Sequence, residues 1–351
     1  MWLPNSVFNE DIEEIISDAR FSWREMADAS VLITGATGLI GTALVRVLAA
    51  ARQKYRLNLI LIGSGRNSAK GEKLMRDYGL DVFIGGDIRQ SLSSEAIPAK
   101  VDYILHCAAL TESADMVAKP VEVITTAVDG TRNLLELARE RHSISVVYLS
   151  SMEVYGQTEV EQVRETDLGY LDLSNPRSSY PESKRLCENL CAAYFSQYGV
   201  PVKIARLAQT FGAGTAQDNT RVFAQFARSA IAGGNIILHT EGKSKGNYCY
   251  LADAVCALLA ILLYGANGQA YNIANPDASV TIREMAELVA NEIGHGKVKI
   301  IVEVPGNFEK RGYKPHVGFT LNVDKLKALG WYPRYGLIAM YKRMITDWQG
   351  K

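Results

Sequence analysis

The sequence lacks paired cysteines, a long apolar run and an excess of charge of either sign. Its 351 residues include five cysteines and no C-x-x-C pair. Cys187 and Cys191 lie one helical turn apart, but no matching His/Cys pair completes a zinc site. We therefore expect buried free thiols, as in a reducing compartment, and no metal centre.

The other absences argue against whole classes of partner. Lysine plus arginine and aspartate plus glutamate number 38 each, so nothing indicates a nucleic-acid partner. No apolar stretch approaches the ~20 residues that span a bilayer. The first residues are acidic and do not resemble a signal peptide. These features favour a cytoplasmic protein with no membrane partner.

The most informative stretch is residues 31–41, VLITGATGLIG. Four β-favouring residues lead into Gly35, Gly38 and Gly41, and an apolar segment with helical periodicity follows. Glycine is needed where the backbone turns sharply or approaches a phosphate, and a helix N-terminus favours a pyrophosphate. The stretch predicts a strand, a dinucleotide-binding turn and a helix. Because the spacing is G-x-x-G-x-x-G and not G-x-G-x-x-G, an ordinary glycine-rich turn is the alternative.

Short apolar segments alternate with longer helical ones along most of the chain. This alternation predicts right-handed βαβ units and a Rossmann-type, doubly wound parallel α/β sheet. A helix is expected over 10–27, and the residues after 207 are expected to cover the carboxyl ends of the strands, where ligands bind. The main predicted strands are 31–34, 57–62, 82–84, 101–107, 145–149 and 202–207.

Possible catalytic side chains follow the later strands. Ser150 and Ser151 end one strand, while Tyr180 and Lys184 lie four residues apart and so share one helix face. Ser179 and Glu182 match a capping box at the start of that helix. A phenol ionises near pH ~10, and a nearby ammonium is expected to lower its pKa. Tyr180 could then remove a proton from a substrate hydroxyl, although Tyr-x-x-x-Lys alone is more often a solvated face.

These residues resemble the extended short-chain dehydrogenase/reductases, and among them the NAD-dependent nucleotide-sugar epimerase/dehydratase family. Residues 34–41 match its cofactor turn, 86–88 its adenine contact and 106–109 its fourth-strand motif. Residues 150–156 (SSMEVYG) match its S-S-x-x-V-Y-G, and 180–184 (YPESK) its Y-x-x-x-K. Further matches lie at 248–253 (YCYLAD) and 329–333 (LGWYP).

The resemblance implies a division of the chain and a role for each matching residue. Residues 1–28 are then a helical extension, 29–207 with segments near 236–274 the NAD(P)-binding domain, and 208–351 mainly the smaller substrate-binding domain. Tyr180 is implied as base, Lys184 as its partner, Ser151 as the hydroxyl that orients the sugar, and Glu153 as a further catalytic group. Implied cofactor contacts are Gly35, Thr37, Gly38, Leu39, Ile40, Gly41, Ser64, Arg66, Asp87, Ile88, Ala108, Ala109, Tyr180 and Lys184. Implied substrate contacts are Thr111, Ser150, Ser151, Met152, Gln209, Arg221, Lys245 and Arg311.

Two residues bear on the reaction that follows oxidation of the sugar at C4. Family dehydratases resemble S-T-D-E-V-Y-G, but here Met152 stands at the acid position, and a thioether cannot donate a proton. Glu153 alone resembles the S-x-E-V-Y-G of uronic-acid decarboxylases, whereas 4-epimerases need no carboxylate there. Glu153 could instead simply cap backbone N–H groups. We expect an epimerase or a uronate decarboxylase acting on a nucleotide-diphosphate sugar.

Both the choice of cofactor and the type of activity have alternatives that the sequence leaves open. The residues after the second strand, Ser64-Gly-Arg66, lack the acid that selects NAD and suit a 2′-phosphate, yet the family favours NAD, which we expect, with NADP as the alternative. Arg66 also motivates an NADPH-dependent 4-keto-sugar reductase. Ala127 and Gly246 replace family residues and motivate a non-catalytic binding protein. The family further implies a homodimer through helices near 121–140 and 180–198.

Overall fold

The computed structural model describes residues 6–90, 97–304 and 317–350. Within these ranges the strands are β1 (Ser30–Thr34), β2 (Ile60–Gly65), β3 (Val82–Gly85), β4 (Tyr103–His106), β5 (Ser145–Ser151), β6 (Gln162–Val163), β7 (Val202–Leu207), β8 (Gln209–Phe211), β9 (Ile236–Leu238), β10 (Lys245–Tyr250), β11 (Ala270–Ile273), β12 (Asn275–Thr281), β13 (Ile300–Val302) and β14 (Thr320–Leu321). The α-helices are α1 (Val7–Ile16), α2 (Leu39–Tyr55), α3 (Ser68–Tyr78), α4 (Ser113–Ala118), α5 (Pro120–Glu140), α6 (Ser179–Tyr198), α7 (Val222–Ile231), α8 (Leu251–Tyr264), α9 (Ile282–Glu292), α10 (Asp324–Lys327) and α11 (Leu337–Gln349).

A seven-stranded parallel sheet with the order β3-β2-β1-β4-β5-β7-β11 forms the centre of the molecule. The order runs outward from β1 in both directions, so helices cover both faces. Val31 and Ile33 of β1 pack with α2 and α8, while Leu32 packs with α5 and α6 on the other face. The predicted doubly wound sheet is confirmed.

Smaller sheets extend beyond the carboxyl ends of the central strands. Strands β12, β10 and β8 form one, β13 pairs with β9, and β14 pairs with β6. Strands β8, β10, β11 and β12 were not predicted from the sequence, and β11 completes the central sheet beside β7. The first of these small sheets and α7 lie over the edge where the loops after β1, β4 and β5 emerge.

Two boundaries and one helix cap differ from prediction for local reasons. The helix expected over 10–27 ends at Ile16, because the chain then folds back and the Trp23 indole N–H donates to the Ile16 carbonyl at 3.0 Å. Strand β2 begins at Ile60 and not at residue 57, since the Leu57 N–H still bonds the Arg52 carbonyl of α2. The predicted capping box is wrong: the N-cap of α6 is Ser178, and the Ser179 hydroxyl donates to the Met116 carbonyl at 3.3 Å.

The remaining expectations concern free thiols, metal sites and membrane-spanning helices. All five cysteines are free, and all except the half-buried Cys107 are buried. In the described ranges, no three His, Cys, Asp or Glu side chains gather as a metal site would require. No helix there is both long and apolar enough to cross a membrane.

Candidate active site

A cleft of about 2370 Å³ follows the carboxyl edge of the central sheet. The ends of β1, β2, β4 and β5 form one wall, and residues 237–246 with the start of α7 form the opposite wall. In open α/β sheets, ligands bind at this edge because the strand ends and helix N-termini converge there. The cleft is therefore the candidate site.

In the glycine turn after β1, neighbouring backbone segments lie so close together that side chains at Gly35 and Gly41 would clash with them. Gly35 has a φ of +64°, and a Cβ on it would lie 2.9 Å from the Ala108 backbone. A Cβ on Gly41 would lie 2.3 Å from the Gly35 carbonyl oxygen. Gly38 is the N-cap of α2 and supplies no capping side chain. The turn and the start of α2 therefore suit a pyrophosphate, and the residues present fit a dinucleotide.

A buried histidine supports this turn from behind. His106 Nδ1 lies 2.7 Å from the Thr34 hydroxyl, and His106 Nε2 lies 3.3 Å from the Thr131 hydroxyl. The Thr34 oxygen also accepts the Ala108 N–H at 3.2 Å. Burial, assisted by the charge of Lys184, lowers the pKa of His106 to about 3, so its ring is neutral. The motif at 106–109 thus fixes the spacing between the glycine turn and the end of β4.

The structure brings nearly all the expected site residues to this cleft. Every expected cofactor contact except Lys184 lines it, as does every expected substrate contact within the described residues. Arg311 lies outside the described residues. These residues are shown to lie at the cleft, and the role of each one in binding or catalysis remains a prediction.

Tyr180 is buried at the cleft wall, and the expected lowering of its pKa is wrong. Burial, followed by the negative charge of Glu153, raises the pKa of Tyr180 to about 12. A hydrogen bond with the Ser151 hydroxyl and the charges of Arg221 and Arg177 act in the opposite direction. Sequence spacing showed which face Tyr180 shares but gave no measure of its desolvation, which dominates here.

Lys184 is held by the end of β5 and lies over the Tyr180 ring. Its ammonium donates to the Leu149 carbonyl at 2.6 Å and lies 5.9 Å from the centre of the Tyr180 ring. Burial lowers the pKa of Lys184. Its fixed bond to β5 makes it a support for the Tyr180 helix in this arrangement.

Glu153 forms a buried ion pair that the sequence did not reveal. Its carboxylate contacts Arg177 Nη2 at 2.9 Å, and both side chains are largely shielded from solvent. The Glu153 N–H donates to the Ser151 hydroxyl at 3.2 Å, so Ser151 bonds both this segment and Tyr180. The expected alternative, a carboxylate that caps backbone, does not account for this pair. The only sequence feature that could have indicated the role of Arg177 is its position three residues before Tyr180.

Ser150 and Ser151 differ in the directions of their hydroxyl groups. The Ser150 hydroxyl donates to the Glu188 carboxylate at 2.5 Å, in the interior. Glu188 in turn binds Arg206, with Glu188 Oε2 to Arg206 Nη2 at 2.6 Å. Ser150 therefore presents other atoms to the cleft, and Ser151 provides the hydroxyl beside Tyr180.

The opposite wall carries cations and an explanation for Gly246. Arg221 donates to the Thr111 carbonyl across the cleft at 3.3 Å, and Lys245 lines the same region. A Cβ on Gly246 would lie 2.4 Å from the Tyr248 hydroxyl oxygen. A larger residue at this position would therefore have to displace the buried Tyr248 side chain.

Comparison with known proteins identifies the family. The family model described as the NAD-dependent epimerase/dehydratase family matches residues 31–274. The chain belongs to this family. The match covers the glycine turn, the serine pair and the Tyr180 helix, so the resemblance drawn from the sequence is confirmed.

Full-length relatives within this family act on nucleotide sugars. UDP-glucuronic acid decarboxylase 3 of Arabidopsis thaliana is 30% identical over 310 residues, covering 88% of this chain and 85% of the relative. UDP-N-acetyl-alpha-D-glucosaminuronate decarboxylase of Bacillus cytotoxicus is 30% identical over 305 residues, covering 85% and 90%. The family thus includes NAD-dependent enzymes that modify nucleotide sugars.

Solved structures of the family share the fold. The UDP-glucose 4-epimerase of Thermotoga maritima, determined with UDP-glucose, has a TM-score of 0.77 at 23% identity and covers 92% of this chain and 99% of its own. The dTDP-glucose 4,6-dehydratase DesIV of Streptomyces venezuelae, determined with NAD, has a TM-score of 0.76 at 24% identity, with 92% and 97% covered. At these identities the likeness establishes the fold alone.

Proposed function

We propose that this protein modifies a nucleotide-diphosphate sugar by transient oxidation at C4. The observation that carries the proposal is the placement of Ser151 and Tyr180 together on the wall of the cleft that begins at the glycine turn. Ser151 orients the sugar hydroxyl and Tyr180 accepts its proton. We also propose that residues 29–207, with segments near 236–274, hold the cofactor and that 208–351 mainly hold the sugar.

The cofactor is a nicotinamide dinucleotide held by the backbone of Gly35, Gly38 and Gly41. When bound, it supplies the acceptor, and later the donor, of the C4 hydride. Ala108 and Ala109, at the end of β4, leave room beside the turn because their side chains are small. The buried wall around Tyr180 excludes water from the reacting hydroxyl.

Decarboxylation of a UDP-linked uronic acid is our leading reaction after oxidation. A C4 ketone makes the C6 carboxylate a β-keto acid, from which carbon dioxide leaves without an acid at the position of Met152. Arg221 and Lys245 line the wall opposite Tyr180 and offer positive charge for the carboxylate and the diphosphate. The two relatives at 30% identity are named as decarboxylases of UDP-linked uronic acids.

Epimerisation at C4 is the second candidate, because it requires no chemical step from Glu153, whose carboxylate contacts Arg177 at 2.9 Å. Epimerisation requires the ketone to be reduced from its other face, and no carboxylate takes part in that step.

We further propose a homodimer formed by α5 and α6. These helices pack against each other on one face of the sheet. Their outer surfaces expose Val121, Ile124, Leu186 and Tyr198, all large and apolar or aromatic. Two copies of this surface would bury these side chains together, and sedimentation of the purified chain measures the resulting mass.

The test is incubation of the full chain with UDP-glucuronic acid, UDP-N-acetylglucosaminuronic acid, UDP-glucose and their GDP, CDP and dTDP counterparts. Mass spectrometry separates the outcomes. Loss of carbon dioxide supports decarboxylation, an isomer of unchanged mass supports epimerisation, and loss of water contradicts our interpretation of Met152. An absence of conversion across the panel contradicts the proposal.

Tyr180→Phe tests the assignment of the base. Removing the phenol should lower turnover by about 10²- to 10⁴-fold while dinucleotide binding is retained. Tyr170→Phe is the matched control, because Tyr170 is exposed on the loop after β6, outside the cleft lining. Equal activity of both variants would contradict the assignment.

A further inference from the structure

The end of the cleft beside β2 and β3 is built without a carboxylate on β2. Strand β2 ends at Gly65, which pairs in register with Gly85 at the end of β3. In dinucleotide folds an acid near this strand end binds the ribose 2′-hydroxyl of NAD, whereas a nearby arginine accommodates the 2′-phosphate of NADP. The two facing glycines therefore offer no carboxylate or other side-chain acceptor for that hydroxyl.

Cations surround this space. Arg66 follows Gly65 directly, lines the cleft and makes no hydrogen bond or ion pair with any residue of the described ranges. Lys70, on the first turn of α3, and Arg89, after β3, line the same end. A guanidinium that is exposed, aimed along a ligand cleft and unpaired within the described chain is suited to a doubly charged phosphate.

Among the described residues, the one carboxylate that lines the ends of β2 and β3 is already engaged. Asp87 accepts hydrogen bonds from Arg89 Nε at 2.9 Å and Nη2 at 2.5 Å, and from the Arg89 backbone N–H at 2.9 Å. The bond from Arg89, with the charges of Arg89 and Arg66, keeps the pKa of Asp87 low. Its repulsion of a phosphate is thus largely offset by Arg89.

A hydroxyl group completes the site. Ser68 begins α3, and its Oγ lies 2.8 Å from the position that a Cβ on Gly85 would take. The Ser68 hydroxyl therefore lies against Gly85, and Ser68 lines the same cleft as Arg66. A Cβ on Gly65 would lie 3.1 Å from the Thr37 hydroxyl oxygen, so the hydroxyl groups of Ser68 and Thr37 approach the two glycines where side chains would otherwise stand.

We propose that this end of the cleft binds the 2′-phosphate of NADP(H), with Arg66 as the charged contact and Ser68 as the hydroxyl contact. The inference rests on the proposed function only through the shared dinucleotide cleft. The proposal differs from the NAD expected from the family. Arg66 and Ser68 stand at the ribose end of the cleft in this chain, and they are not part of the family motifs that led to that expectation.

Calorimetry with adenosine fragments tests the site without any turnover. The full chain should bind 2′,5′-ADP about 10- to 100-fold more tightly than 5′-AMP, the difference expected for hydrogen bonds to a charged group. Arg66→Ala should remove most of that difference, and Ser68→Ala a smaller part. Lys73→Ala is the matched control, because Lys73 is exposed on α3 outside the cleft.

Three results would overturn the proposal. Equal affinity for the two fragments would show that the 2′-phosphate makes no contact. A full preference in Arg66→Ala would remove Arg66 from the site, and an equal loss in Lys73→Ala would indicate general charge attraction. The nucleotide released from heated protein gives a second readout, with NADP expected. Because no sugar is present, failure of sugar conversion contradicts the proposed function alone, and loss of fragment preference contradicts this inference alone.

Discussion

Two glutamate–arginine pairs, Glu153–Arg177 and Glu188–Arg206, flank the segment that follows β5. Both pairs are shielded from solvent, with side-chain exposures of 13% and 8% in the first and 10% and 6% in the second. They differ in what surrounds them. Glu153 lines the cleft beside Tyr180, whereas Glu188 lies behind the strand and receives the Ser150 hydroxyl.

The contacts of the two pairs explain a difference in function. Arg206 binds both oxygens of Glu188 and also donates to the Tyr155 hydroxyl and the Glu165 carbonyl. Such a fully bonded pair fixes β7 against α6 and the segment after β5. The Glu153 charge instead raises the pKa of Tyr180. The same chemical pair therefore acts as a structural connection in one place and as an electrostatic influence on a reacting group in the other.

The largest expected effect comes from breaking the interior pair. Arg206→Met leaves the Glu188 carboxylate buried without its guanidinium, and unfolding free energy should fall by about 3–5 kcal/mol. Urea unfolding measures the change. The double variant Glu188→Leu with Arg206→Met should lose less than the sum of the single losses, because no buried charge remains. A loss below about 1 kcal/mol, the range of exposed surface ion pairs, would contradict a structural role for this pair.

Breaking the cleft pair should change chemistry more than stability. Glu153→Gln removes a charge that raises the pKa of Tyr180, so that pKa falls. The acid limb of the kcat/KM profile, where Tyr180 must lose its proton, should then shift to lower pH. The plateau should fall by about 10²-fold if Glu153 also takes part after oxidation. An unshifted limb would contradict the electrostatic role.

The sequence predicted six of the seven strands of the central sheet and most of the residues that line the cleft. Glycines with a steric requirement and apolar alternation are local features, and they predicted the glycine turn and these six strands. The Tyr180–Lys184 spacing is local too, and the role of Tyr180 as base stays a prediction. Strands β8 and β11 escaped prediction because three or four residues carry too little periodicity. The capping box failed because Ser179 met a closer partner, the Met116 carbonyl, 63 residues away in sequence.

Electrostatic detail could not be predicted for a different reason. Arg177 and Glu153 are 24 residues apart, and Arg206 and Glu188 are 18 apart, so neither pairing follows from a helix or strand period. The pKa of Tyr180 depends on burial by several elements at once. A spacing of four residues indicated an ammonium near the phenol, but the Lys184 ammonium bonds to the Leu149 carbonyl instead.

Ser151→Ala should shift the same pH profile in the opposite direction. Loss of its hydrogen bond removes an influence that lowers the pKa of Tyr180, so the acid limb should move to higher pH. We expect a roughly tenfold lower kcat/KM at neutral pH, the value of about one hydrogen bond. The opposed shifts of Ser151→Ala and Glu153→Gln, measured in one buffer series, are the control for each other. Shifts of the same sign would contradict the arrangement.

The smallest expected effect comes from Ser150→Ala, and it tests the boundary between the two pairs. Ser150 lines the cleft, but its hydroxyl donates to Glu188 at 2.5 Å, so the loss should appear as about 1 kcal/mol of stability. The KM for the sugar should stay unchanged, because no hydroxyl group is withdrawn from the cleft. Thermal unfolding and steady-state kinetics on the same preparation decide the matter. A raised KM at unchanged stability would make Ser150 the sugar contact that the family resemblance implies, and the interior pair would then belong to the site as well.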